Sequence, residues 1–191
     1  HVRVDCYDSE RELIEGFCRR IQALDPDVLS SHNGFSFDNR YVWKRAKILG
    51  CTHAMAWMAR LCDFEEGYRE MKMKSAAYGD NEYGLISMPG RIQLDTYRWT
   101  QREKKLDSYS LRAISDLYLR DVSKIDLAPK AMFRKQKGSD VDRGEVATYC
   151  VRDTELVLHI IQSLGILPAS IGMANVCWVP IEYLFLRGQS I

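Results

Sequence analysis

The 191-residue sequence has no excess of either charge: 27 lysines and arginines stand against 26 aspartates and glutamates, for a formal net charge of +1. The bulk electrostatic footprint of a nucleic-acid binder is therefore missing, and any electropositive groove must come from local clustering. Lys72, Lys74, Arg98, Arg102, Lys104, Lys105, Lys130, Arg134, Lys135 and Lys137 are the candidates, although a solvated charged face is the plainer reading for most of them. The six cysteines (Cys6, Cys18, Cys51, Cys62, Cys150 and Cys177) contain no Cys-x-x-Cys pair and have no histidine at ligand spacing. That argues against a zinc module and leaves buried free thiols in a reducing compartment as the expectation. No run approaches the length of a membrane span and no signal peptide is visible, so the chain reads as intracellular. It starts at His1 rather than Met and ends on Arg187-Gly-Gln-Ser-Ile191 without a stop signal, and reads as a piece of something longer.

What is present suits one globular domain, with 46% hydrophobic and 28% charged residues. Ser9-Glu-Arg-Glu12 spells a capping box, and Leu13, Ile14, Phe17, Ile21 and Leu24 follow at helical spacing, predicting an amphipathic helix over residues 9–24. Asp25-Pro-Asp27 stops it, Val28 to Ser31 form a short buried strand, and a second helix starts at Asp38 and closes on Gly50, with Tyr41, Val42, Arg45, Ala46 and Leu49 along it. Residues 51–90 are the least periodic and predict a loop with a hairpin. Ile92 to Asp95 ends a strand. Thr96 to Lys104 is a helix with Tyr97 and Trp99 facing the core, and Ser110 caps another bearing Leu111, Ile114, Leu117 and Tyr118. After a polar connector, Arg143 to Leu164 gives a long helix with Val146, Cys150, Val157, Ile160, Ile161 and Leu164 as apolar positions, ended by Gly165. The mixture predicts a layered α/β domain.

Two short patterns carry chemistry. In Ala147-Thr-Tyr-Cys-Val-Arg-Asp153, the four-residue spacing stacks the Tyr149 phenol and the Asp153 carboxylate on one helix face. In Val28-Leu-Ser-Ser-His-Asn-Gly-Phe-Ser-Phe-Asp38, a strand leads through a turn to a helix. Taken singly, Asp38 reads as a helix N-cap, Asn33 as a turn residue before Gly34 and Tyr149 as a half-buried aromatic. Taken together, Asn33, Phe37 and Asp38 with Tyr149 and Asp153 resemble the second and third exonuclease motifs of family B DNA polymerases. The resemblance continues in order through Asp25-Pro-Asp-Val28, Gly90-Arg-Ile-Gln-Leu-Asp95, Leu106-Asp-Ser-Tyr-Ser-Leu-Arg-Ala-Ile114, Val179-Pro-Ile-Glu-Tyr-Leu184 and Arg187-Gly-Gln189. The Gly90 and Ser108 segments look most like eukaryotic delta-type polymerases and those of large DNA viruses.

The resemblance implies an RNase H-like exonuclease fold, incomplete at the N-terminus because the first-motif strands are missing. Residues 1–165 would be a partial 3′-to-5′ exonuclease domain, and 166–191 a helical connection towards the polymerase palm. It further implies two Mg2+ or Mn2+ ions in the complete domain, held in part by Asp38 and Asp153, with Tyr149 orienting the attacking water and Asn33 and Phe37 lining the path of the primer 3′ end. Asp8-Ser9-Glu10 spells the Asp-x-Glu of a first motif, but it sits at a helix cap only 23 residues before Asn33, so the true first motif is expected upstream of His1 and this chain carries half of the metal cage. Implied partners are primer-template DNA, the rest of the polymerase chain and a sliding clamp or accessory subunits, in a nucleus or at a viral replication site. In the family a β-hairpin between these motifs touches the primer-template, and Ala76 to Gly84 is where its neighbourhood is expected, a plain surface turn being the other reading. A free-standing exonuclease and a non-catalytic DNA-holding module are the alternatives.

Overall fold

The Ser9 hydroxyl accepts the amide of Glu12 at 3.2 Å and starts α1 (Glu10–Leu24) as its sequence predicts. Only half of the expected capping box forms, however, because the Glu12 carboxylate reaches past Ser9 to the Asp8 amide at 3.2 Å. The computed structural model in which this is seen describes residues 4–61, 67–75, 79–119 and 127–186. Cys62, residues 76–78 of the Ala76–Gly84 segment and the Arg187–Gln189 match lie outside the described residues.

The chain forms two compact units, one comprising the sequence up to Leu29, Asn33–Leu94 and the end from Phe185, the other Ser30–His32 and Asp95–Leu184. In the first unit, α1 and α2 (Asp38–Leu49) pack with a 3-10 helix over Thr52–Met58. Their shared core contains Ile14, Cys18, Ile21, Ala46, Cys51, Ala54, Met55 and Met58. Leu13, Phe17 and Leu24, expected on the inner face of α1, are exposed instead. The reason is that Cys18 and Gly16 occupy the buried stripe and let neighbouring chain approach closely. The 3-10 helix was not legible as an element, yet Met55 and Met58 are fully buried and each contributes about 1.5–3 kcal/mol of burial. At the end of α2, Gly50 takes the left-handed conformation (φ 67°) that an L-residue with a Cβ resists.

The expected hairpin is antiparallel, β2 (Tyr68–Ser75) with β3 (Gly79–Ile86), pairing Tyr68 with Ile86 and Ser75 with Gly79. A second two-stranded sheet joins β1 (Val28–Ser31), half-buried along its length rather than buried, to β4 (Ile92–Asp95).

In the second unit, α3 (Thr96–Glu103), α4 (Leu111–Tyr118), α5 (Pro129–Gln136) and α7 (Ile166–Cys177) each contact α6 (Asp140–Ser163). Trp99 is buried and Tyr97 half-buried, Ser110 caps α4 as expected, and Leu117 faces outward. The sequence reading missed α5 and began α6 three residues late, since Ser139 with Asp142 forms a full capping box. The short α8 (Ile181–Leu186) follows. Among the described residues no single helix is long and apolar enough to cross a membrane. The thiols divide: Cys18 and Cys51 are buried as expected, whereas Cys6, Cys150 and Cys177 are exposed, and all five are free. The described residues thus make a mixed α/β protein with small sheets, the coarse class expected from the sequence.

Candidate nuclease site

The first group of candidate residues is built on the turn between β1 and α2. Asn33 takes a left-handed conformation (φ 64°), which a short polar side chain tolerates better than most. The turn then closes on itself, the Asn33 carbonyl accepting the Phe37 amide at 3.1 Å and the Gly34 carbonyl accepting the Asn39 amide at 2.9 Å. Phe35, 2% exposed, plugs into a small cluster with Tyr83 and Leu85, while Phe37, 66% exposed, is turned to solvent. Two phenylalanines two residues apart therefore do opposite things: one anchors the turn and the other is presented by it. Asp38 is exposed and is the first residue of α2, with Phe37 in the cap position and no side-chain capping bond there. Asp38 is thus one position inside the cap, where the helix N-terminus favours its negative charge.

The second group lies on α6. Val146, Tyr149, Asp153, Val157 and Ile160 follow at three- and four-residue steps, so they share one helix face. Val146, Val157 and Ile160 are buried and Tyr149 and Asp153 half-buried, so the phenol and the carboxylate interrupt an otherwise apolar stripe. The Asp153 Oδ1 atom is itself buried, an expensive place for a charged oxygen. Beside it, Cys150 is exposed rather than apolar core, and its thiol is raised by desolvation and then by the Asp153 carboxylate.

Asn33, Phe37 and Asp38 thus fall together in one turn of the first unit, and Tyr149 with Asp153 in one stripe of the second. Asp8 and Glu10 do not lie on a strand; they flank the cap of α1. Glu10 is held by Arg45, whose Nε donates to Oε1 at 2.6 Å and whose Nη2 donates to Oε2, an arrangement that keeps the Glu10 carboxyl below its ordinary range. Among the described residues no group of three or more His, Cys, Asp or Glu side chains is placed to hold a metal. Of the basic candidates, Lys72, Arg102 and Lys135 are engaged in ion pairs, while Lys104, Lys105, Lys130, Arg134 and Lys137 are exposed.

Sequence reasoning missed three supports. Phe35 and Gly84 carry no local signal of a role, and Asn39 looked like an ordinary first-turn residue. His32 was missed as well, although it is held between the Thr96 hydroxyl (2.9 Å) and the Tyr109 carbonyl (3.0 Å) with its ring edge-on to Tyr97.

Comparison with known proteins bears on both groups. The family model for the exonuclease domain of DNA polymerase family B matches residues 1–114, which include the Asn33–Asp38 turn but not α6. The similarity to individual proteins runs further. The chain is 32% identical over 190 residues to the DNA polymerase delta catalytic subunit of Mesocricetus auratus, covering all of this chain and 17% of that protein. It is 34% identical over 185 residues to the same subunit of Candida albicans, covering 97% and 18%. It is 29% identical over 239 residues to a DNA polymerase of Pyramimonas orientalis virus, covering 96% and 20%. The chain therefore spans only 17–20% of the length of these relatives. A turn bearing Asn33, Phe37 and Asp38, inside a match to that model and within similarity along nearly the whole sequence, means that this chain belongs to the family B DNA polymerases, in the region of their exonuclease domain.

Proposed function

We propose that this chain is the proofreading 3′-to-5′ exonuclease region of a DNA-directed DNA polymerase, removing mismatched primer ends during replication. In this reading residues 1–165 belong to an RNase H-like exonuclease domain, and 166–191 connect it towards the polymerase palm. The observation that carries it is the presence of both motif sets on the kinds of element they require: Asn33, Phe37 and Asp38 at a strand-to-helix turn, and Tyr149 and Asp153 on one helix stripe. Relatives of which the chain spans 17–20% favour a region within a polymerase over a free-standing nuclease.

The donor chemistry fits the cations such a reaction uses. Asp38 and Asp153 are hard oxygen donors on separate elements, the type of ligand that Mg2+ or Mn2+ takes, and both would serve as ligands. Bound ions of this kind supply an activated water and neutralise charge on the phosphate oxygens. The chain's own groups do the rest. The Tyr149 hydroxyl, a donor and an acceptor, orients the attacking water. The exposed Phe37 ring offers a face for a splayed base, and the Asn33 amide hydrogen-bonds the strand near its end. Primer-template DNA, the remainder of the polymerase and a clamp or accessory subunit are the partners this reading requires, at a nuclear or viral replication site.

The test is a 5′-labelled single-stranded oligonucleotide incubated with the intact polymerase and Mg2+. Stepwise shortening from the 3′ end is expected, abolished by Asp38→Ala and kept by Asp8→Ala and Glu10→Ala. Internal cleavage, or shortening that survives Asp38→Ala, would overturn the assignment.

A further inference from the structure

The β2–β3 hairpin and the turn that carries Phe37 and Asp38 are joined at Gly84. Its amide donates to the Phe35 carbonyl at 2.7 Å, inside the turn, and its carbonyl accepts Nδ2 of Asn39, the residue after Asp38, at 3.0 Å. Both main-chain groups of one hairpin residue are thus spent on the turn rather than on solvent. The side chains repeat the connection: Phe35 is buried between Tyr83 and Leu85, the residues flanking Gly84.

The fit tolerates nothing larger. A Cβ at position 84 would stand 2.4 Å from the Tyr68 hydroxyl oxygen and 2.6 Å from Arg40 Cγ. Tyr68 cannot simply swing aside, because its ring is stacked on Trp43 with 5.0 Å between centroids and 8° between planes. Arg40 lies between Glu82 of β3 (3.5 Å) and Glu70 of β2 (3.8 Å). Asn39, Arg40 and Trp43 all belong to the first half of α2, the helix whose first residue is Asp38. One short helical segment therefore presents the acidic candidate and grips the hairpin base.

We infer that Gly84 and Asn39 are positioning residues, a clasp through which the hairpin and the Asn33–Asp38 turn move as one body, so that displacement of the hairpin re-aims Phe37 and Asp38. The inference rests on the exonuclease reading for its catalytic consequence but not for the coupling itself. A group that aims a catalytic residue acts on turnover more than on binding, and a misplacement of about 1 Å can cost roughly a hundredfold in rate.

Two readouts separate the parts. In amide hydrogen exchange on the intact protein, Asn39→Ala should speed exchange at Gly84 and, together with it, at Phe37 and Asn39 in the turn, by roughly tenfold or more. Asn39→Asp, of the same shape but without the donor, should do the same. Ser75→Gly, at the far end of β2 where it pairs with Gly79, should leave the turn amides unchanged. In exonuclease kinetics on a single-stranded 3′ end, both Asn39 variants should lower kcat by about tenfold with KM little changed. Gly84→Ala should match them; if it fails to fold, the Asn39 pair decides. Turn amides that stay protected in both Asn39 variants, or that open equally in Ser75→Gly, would overturn the clasp. A wild-type protein without 3′-to-5′ activity would sink the exonuclease reading, while the exchange result would still decide the coupling.

Discussion

Replacing Arg91 with alanine should unlock the entrance to β1. The Arg91 side chain is 1% exposed and makes three bonds: Nε donates to the Met58 carbonyl at 2.6 Å, and Nη1 donates to the Pro26 carbonyl at 2.6 Å and to Asp25 Oδ1 at 2.8 Å. It ties the end of the 3-10 helix to the Asp25–Asp27 segment that starts β1, the strand leading into the Asn33–Asp38 turn. Truncation leaves two main-chain carbonyls without their donor. At about 1–3 kcal/mol for each buried polar group left unsatisfied, the loss is about 2–6 kcal/mol, a large part of the 5–15 kcal/mol that holds a typical domain together. Asp25 adds little to this, since its side chain is 61% exposed and Arg60 also holds it, at 2.7 Å. Urea titration followed by tryptophan fluorescence reads the change, Trp43 and Trp57 lying in the same unit as Arg91. With a slope of about 2 kcal/mol/M, the midpoint should fall by roughly 1–3 M. Arg60→Ala, which removes the other arginine on Asp25, should shift it much less. A drop for Arg91→Ala of under about 0.3 M, within the error of such extrapolations, would refute the argument that these carbonyls depend on Arg91.

Other outcomes follow from the same geometry. Asp153→Ala should remove most exonuclease turnover and weaken Mn2+ binding measured by calorimetry, whereas Tyr149→Phe should keep metal affinity and lower kcat alone; equal Mn2+ affinity in wild type and Asp153→Ala would exclude a ligand role. Hydrogen bonds from Arg60 and then Arg91 hold the Asp25 carboxyl below its ordinary value of 3.8. Because the folded-state value is depressed, the stabilisation is present above 3.8 and lost as the pH falls below it towards the folded value. Asp25→Asn should therefore flatten the acid limb of the stability profile, and an unchanged limb would contradict the pairing. Burial pushes the Cys18 thiol up to about 12, so at pH 8 an alkylating reagent followed by peptide mass spectrometry should find Cys6 and Cys177 modified and Cys18 and Cys51 spared until denaturation; Cys18 labelled as fast as Cys6 would show that α1 opens.

The amino-acid sequence by itself determined what depends on a few neighbouring residues. Ser9 and Ser110 cap their helices, Gly50 ends α2, Val28–Ser31 is a strand, and Tyr149 stacks over Asp153, because capping, left-handed closure and helical spacing are settled within one or two turns of chain. The candidate residues were legible for a similar reason: each motif is short and contiguous. What the tertiary structure decided involves partners far apart in sequence. Glu12 reached for Asp8 rather than completing the box at Ser9, and Cys18 displaced Phe17 from the buried face of α1 because of what packs there. Met55 and Met58 are core in a segment with no periodicity, since a 3-10 turn needs only a neighbouring apolar surface to be worth burying. Arg91 reaches Asp25 across 66 residues and Asn39 reaches Gly84 across 45, and no local preference encodes such a pairing. Only the folded chain brings those donors to those carbonyls, because the cost of closing a long loop is met by contacts that exist once the whole unit has formed.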